Sequence, residues 1–181
     1  MDQKHRIAVF PPIPLELRSA LEPSFDLVMA GDGELPRDLR VAVITSMGGA
    51  DKTLMDRLPA LGLIACNGAG LDRVDTQEAS RRGIVVRNTP DEVTDDTADF
   101  AIGLIFATMR RLAEADRFVR SGQWATEKMP PSRRVRGSRL GIVGLGKIGA
   151  KIGERAAALG MQVAYTGPRE KPAAPFVYIP D

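Results

Sequence analysis

The run Gly144-Leu145-Gly146-Lys147-Ile148-Gly149, with what flanks it, limits the folding of this chain more than any other feature. Residues 140–143, directly before it, form a short apolar segment of the kind that makes a buried strand. Residues 148–159 have helical spacing and stop at Gly160, and residues 161–166 read as the next strand. Between a strand and a helix, each glycine has a distinct use. The first permits the tight turn, the second lets the backbone approach a diphosphate, and the third lets the helix pack closely on the strand. The helix start adds unpaired N–H groups and the positive end of the helix dipole. The expectation is a dinucleotide site in which Gly144, Leu145, Gly146, Lys147, Ile148 and Gly149 surround the diphosphate. Lys147 is either a solvated side chain or a phosphate contact.

The end of the second strand predicts which dinucleotide. NAD sites usually place Asp or Glu there, about 20 residues after the turn, to bind the ribose 2′-hydroxyl. Here Gly167 takes that position, followed by Pro168, Arg169, Glu170 and Lys171. No carboxylate stands at the strand end to repel a 2′-phosphate, and Arg169 and Lys171 can pair with one. The pattern favours NADP(H) over NAD(H), with Glu170 the opposing charge.

Upstream, residues 7–10, 25–29, 41–45, 63–67 and 84–87 are short, rich in Val and Ile, and bounded by Gly, Pro or Asp. They read as strands, and residues 15–21, 52–61 and 75–82 between them read as helices. Such β-α alternation predicts a parallel sheet covered on both faces, in an α/β domain over residues 1–95. Residues 96–181 then begin with a long helix and continue into the dinucleotide domain. Ala98, Ala101, Ile102, Ile105, Met109 and Leu112 recur at helical spacing, and Leu104 and Phe106 make that helix apolar around most of its girth. The expectation is a buried helix wedged between two domains, with residues 121–139 as a connector anchored by Trp124.

Composition removes several classes of function. The 181 residues carry a net charge of only +2, too little for a nucleic-acid or anionic-membrane field. The cluster Arg133, Arg134, Arg136 and Arg139 has no interleaved aromatics and reads as a solvated loop. The apolar stretch 98–109 is shorter than the ~20 residues of a membrane span. Cys66 is the single cysteine, which fits a reducing, cytoplasmic location, and it reads as a packing residue. Asp72 and Asp75 are too few for a metal site, and His5, the single histidine, has no catalytic partner nearby.

Three blocks resemble the D-isomer-specific 2-hydroxyacid dehydrogenases, especially their glyoxylate/hydroxypyruvate reductase branch. These are Asn67-Gly68-Ala69-Gly70-Leu71-Asp72, then Asn88-Thr89-Pro90-Asp91 with Asp95-Asp96-Thr97-Ala98-Asp99, and Gly141-Ile142-Val143 with the glycine turn. The resemblance implies a flavodoxin-like N-terminal domain followed by the first part of a Rossmann dinucleotide-binding domain. It implies that Ala69, Gly70 and Leu71 present backbone N–H groups to a substrate carboxylate, and that Thr97 lies near the cofactor. The alternative for Thr97 is a helix-capping hydroxyl. The resemblance further implies a small 2-keto or 2-hydroxy acid as substrate, with hydride exchanged with the nicotinamide, and a homodimer in which the Trp124 region takes part.

In that family an arginine, a carboxylate and a histidine do the chemistry, and they lie downstream of the second Rossmann strand. None of the three has a match here, so no catalytic residue is assigned, and the expectation is an N-terminal portion that is inactive alone. A non-catalytic cofactor-binding or dimerisation module is the competing reading, and another 2-hydroxy acid, such as phosphoglycerate or lactate, is a third.

Overall fold

Short β-branched runs separated by polar turns produce two units, Met1–Glu92 and Val93–Asp181, in a computed structural model that describes residues 4–31 and 33–180. In the first unit five strands form one sheet: β1 His5–Val9, β2 Phe25–Met29, β3 Val41–Thr45, β4 Leu63–Asn67 and β5 Val85–Asn88. All pairings are parallel and the order is β2-β1-β3-β4-β5, the flavodoxin-like arrangement. Alternation along the strands feeds two cores. Ala8, Ala42, Ile44, Ile64 and Cys66 pack on one face, while Ile7, Val9 and Val43 pack on the other. A sheet apolar on both faces must be covered on both, and α1 Leu15–Leu21, α2 Lys52–Asp56 and α3 Thr76–Arg81 lie between its strands in the chain.

The caps explain where these helices start. Asp51 accepts the Leu54 N–H at 2.9 Å, and Asp75 accepts that of Glu78 at 2.9 Å, each satisfying a donor the helix leaves free. The α2 helix ends at Asp56 rather than continuing to residue 61 as its apolar spacing suggested. Pro59 stands three residues on and excludes its predecessor from helical geometry. His5 opens β1 and is exposed.

The second unit contains α4 Thr94–Met109, α5 Leu112–Arg120, a short 3₁₀ turn Gln123–Ala125, β6 Arg139–Val143, α6 Lys147–Ala158, β7 Gln162–Thr166 and β8 Val177–Tyr178. The three strands are parallel in the order β6-β7-β8, as in one half of a Rossmann sheet. Val135, Ile142, Leu145, Ala156, Met161, Val163 and Tyr165 form its core.

Three expectations for this unit are corrected. The long helix is not buried all round: Ile102, Ile105, Phe106 and Met109 pack on the core, whereas Phe100 is 68% and Leu104 51% exposed. It also stops early. Arg111 adopts a left-handed conformation (φ 54°), and Leu112 therefore begins a separate helix instead of the next turn of α4. Trp124, expected as an anchor, is 63% exposed.

Arg155 of α6 ties that helix to α4, reaching Asp95 at 2.8 Å and Asp99 at 2.6 Å. Its hydrogen bond holds the Asp95 carboxyl below the usual aspartate value. A depressed carboxylate pKa stabilises the fold fully above the unfolded-state value, about 3.9, and ceases to do so as pH falls through the folded-state value. Arg155→Ala should therefore lower the melting temperature at neutral pH, with the gap from the parent narrowing below about pH 4. A gap of constant size down to about pH 3 would exclude this ion pair as its source.

Candidate functional site

Each unit carries its own set of the residues singled out in the sequence. In the second, β6 ends at Val143 and Gly144 turns the chain at φ +88°, after which α6 begins at Lys147. Gly144 donates its N–H to the Thr166 carbonyl at 2.9 Å, which ties the turn to the end of β7. Leu145 and Gly146 donate to no backbone carbonyl among the described residues. Those groups stand at the N-terminus of a twelve-residue helix, where an anion is favoured by the free donors and by the dipole.

The turn and the strand end together enclose a cavity of about 400 Å³, lined by Gly144, Leu145, Gly146, Tyr165, Thr166, Gly167, Pro168, Arg169 and Lys171. Six of the residues singled out for the cofactor thus meet in one place. Glu170 is absent from the lining although its neighbours on both sides contribute to it. Lys171 directs its ammonium to the Leu145 carbonyl, so its charge lies against the glycine turn. Gly149 is buried behind the turn rather than lining the cavity, and Ile148 is half-buried. Lys147 is exposed. Thr97 lies in the first turns of α4, exposed and outside the lining. It is not the cap either: Val93 holds that position, without a side-chain bond.

A dinucleotide fits this cradle on steric grounds. A Cβ built on Gly146 meets nothing within 4 Å, so that face of the turn is open to a ligand. A Cβ on Gly149 would stand 2.5 Å from the Gly144 carbonyl oxygen, which shows how closely the helix approaches the strand behind it.

In the first unit, Gly68–Leu71 follow β4, and their carbonyls are taken by the protein. The Gly68 carbonyl accepts the Thr89 N–H at 3.2 Å, and the Ala69 carbonyl accepts Asn88 Nδ2 at 2.7 Å. The Gly70 carbonyl lies 3.9 Å from the Cys66 thiol. Because a trans peptide sets N–H and C=O on opposite sides, the N–H groups of Ala69, Gly70 and Leu71 point away from those partners. None has a backbone acceptor among the described residues. Backbone N–H groups left without acceptors in this way are donors that a carboxylate can take. Burial pushes the Cys66 thiol up, away from the nucleophilic form, so it acts here as packing and a weak donor.

Some contributors were not singled out from the sequence. Asn88 and Thr89 belong to a motif block, yet their grip on residues 68–69 depends on β5 lying beside β4. Tyr165 and Tyr178 both bond to residues 167–171, and nothing periodic marks that contact.

The family model for the NAD-binding domain of D-isomer-specific 2-hydroxyacid dehydrogenases matches residues 102–178. The hydroxyphenylpyruvate reductase of Plectranthus scutellarioides is 41% identical over 77% of this chain and 45% of its own length. The 2-ketogluconate reductase of Gluconobacter oxydans is 37% identical over the whole chain and 60% of its own length. Among solved structures, an NADPH-dependent glyoxylate/hydroxypyruvate reductase of Sinorhizobium meliloti, in complex with NADP and malonate, superposes with a TM-score of 0.84 at 34% identity. That match covers 98% of this chain and 57% of the other. The chain therefore spans between about half and three-fifths of the length of these relatives. With its two parallel sheets, its glycine turn and these relatives, the chain is similar to the D-isomer-specific 2-hydroxyacid dehydrogenases, and its residues 102–178 match the NAD-binding domain of that family.

Proposed function

We propose that these 181 residues are the N-terminal part of a cytoplasmic reductase that moves hydride between NADP(H), in preference to NAD(H), and a small 2-keto or 2-hydroxy acid of the glyoxylate or hydroxypyruvate type. The observation that carries this reading is the cavity at the ends of β6 and β7, which Arg169 and Lys171 line and to which no carboxylate contributes. The turn Gly144–Gly149 holds the diphosphate, with the N–H groups of Leu145 and Gly146 and the start of α6 opposing the negative charge. Gly167, Arg169 and Lys171 lie by the adenosine ribose, and Thr97 near the cofactor. The outward N–H groups of Ala69, Gly70 and Leu71 bind the substrate carboxylate. When bound, the nicotinamide supplies or accepts the hydride. In this reading the arginine, carboxylate and histidine of the family come from the part of the relatives' length that these residues do not span, so this portion is inactive alone.

The protein acts as a homodimer through the second unit. Phe100, Leu104, Leu112, Val119 and Trp124 are all more than half exposed there, a concentration of apolar surface that favours association. Among the described residues no helix is long and apolar enough to cross a membrane.

Reduction of glyoxylate and hydroxypyruvate by the full-length protein, with NADPH and with NADH, tests the reading. A charge-assisted bond to the 2′-phosphate predicts a kcat/KM at least about tenfold higher with NADPH. Preference for NADH would overturn the cofactor assignment, and failure to reduce either acid would overturn the activity.

A further inference from the structure

The chain has two tyrosines, and both spend their hydroxyls on the same five-residue segment. Tyr178 of β8 donates its hydroxyl to the Gly167 carbonyl at 2.9 Å, at the start of the segment. Tyr165 of β7 accepts the Lys171 N–H at 2.7 Å, at its end. A buried tyrosine must find a partner for its hydroxyl, and Tyr165 is only 2% exposed. The two rings lie 5.2 Å apart at 45°, so each tyrosine also fixes the other. Lys171 adds a third tie through its ammonium to the Leu145 carbonyl, on the far side of the cavity.

Only Pro168, Arg169 and Glu170 are left between these ties, and Pro168 has its own φ restricted. The tip therefore has little freedom to rotate. Arg169 faces the cavity and Glu170 does not. A rotation of the tip would exchange a cation for an anion beside the ribose. Arg169 makes no ion pair among the described residues, in contrast to Arg155 and Arg82. What holds its orientation is the backbone, and what holds the backbone is the pair of tyrosines.

We infer that Tyr165 and Tyr178 are positioning residues for nucleotide choice, clamping residues 167–171 so that Arg169 rather than Glu170 meets the ribose 2′ substituent. This rests on the NADP(H) reading above. Two fragments of the cofactor, adenosine 2′,5′-bisphosphate and ADP, separate clamp from reading when titrated calorimetrically into the full-length protein. The parent should prefer the 2′,5′-bisphosphate, and Arg169→Ala should remove that preference. Tyr178→Phe keeps the ring and loses only the hydroxyl, and should cut the preference about five- to tenfold while ADP affinity stays within about twofold. Tyr165→Phe, which removes the other tie, should cut the same ratio, so the test does not depend on one variant folding. If Arg169→Ala collapses the preference and both tyrosine variants keep it, the clamp is wrong and the NADP(H) reading stands. Equal weakening of both ligands in the tyrosine variants also overturns the clamp, as a general loss of structure. A parent protein without the preference defeats the NADP(H) reading, and the inference with it.

Discussion

Gly149→Ala should unfold at a clearly lower temperature than the parent and lose ADP binding, whereas Gly146→Ala should melt normally and lose only the binding. The two glycines stand three residues apart in one turn, and their surroundings differ. A Cβ on Gly149 would come within 2.5 Å of the Gly144 carbonyl oxygen and 3.2 Å of Ile142 Cγ2. The first contact is with backbone that cannot easily yield. Gly144 sits at φ +88° with its N–H bonded to Thr166, so moving its carbonyl disturbs the tie between β6 and β7. Alanine in place of glycine inside a helix normally gains about 0.5–1 kcal/mol, but overpacking a tight contact costs about 1–3 kcal/mol. The clash wins, and α6 must retreat from the strand. Around Gly146 a Cβ meets nothing, so the fold tolerates it, and the methyl instead occupies space that a diphosphate needs. Thermal unfolding followed by titration with ADP reads both effects. A Gly149→Ala protein that melts like the parent would show that the helix does not pack as closely as described.

The contrast between those glycines was legible in the sequence because the motif sets residue type against position. So were β2, β3, β4 and α1, whose apolar spacing and flanking breakers coincide with their observed limits. Features decided by a single residue's backbone were less visible. Arg111 takes a left-handed conformation that a non-glycine residue seldom adopts, and no turn residue announces the break between α4 and α5. The exposed face of α4 was hidden for a different reason. An apolar pattern on nearly every side says that the helix is sticky, but not which side its own unit covers. The ties that shape the sites were the least visible. Asn88 to Ala69 spans 19 residues and Tyr178 to Gly167 spans 11, and each depends on strand neighbours whose register no local pattern states. Lys171 shows the same limit, since a charge near the ribose in sequence turns out to brace the glycine turn.

Gly68→Ala should have the larger consequence in the first unit, lowering both its stability and the affinity for a carboxylate. Gly68 has φ +139°, a region that side chains rarely adopt, and strain of that kind costs about 1–3 kcal/mol. Its Cβ would also stand 2.4 Å from Ser46 Oγ and 2.8 Å from Ser46 Cβ. Alanine must therefore pull the loop away from β3, and two bonds to Thr89 oppose the movement: the Gly68 N–H to Oγ1 at 3.1 Å, and the Thr89 N–H to the Gly68 carbonyl at 3.2 Å. Once those give, the Gly68 carbonyl is no longer held, and the loop that carries the N–H groups of Ala69, Gly70 and Leu71 shifts from its place. On the reductase reading the KM for the keto acid rises about tenfold or more, with kcat less affected, because binding common to ground and transition states is what is lost. Ser46→Gly removes the steric partner but not the backbone strain, so the double variant Ser46→Gly/Gly68→Ala should recover part of the melting temperature and not all of it. Complete recovery would place the whole effect in the contact with Ser46. An unchanged melting temperature and KM in Gly68→Ala alone would mean that the loop does not need its left-handed turn to present those amides.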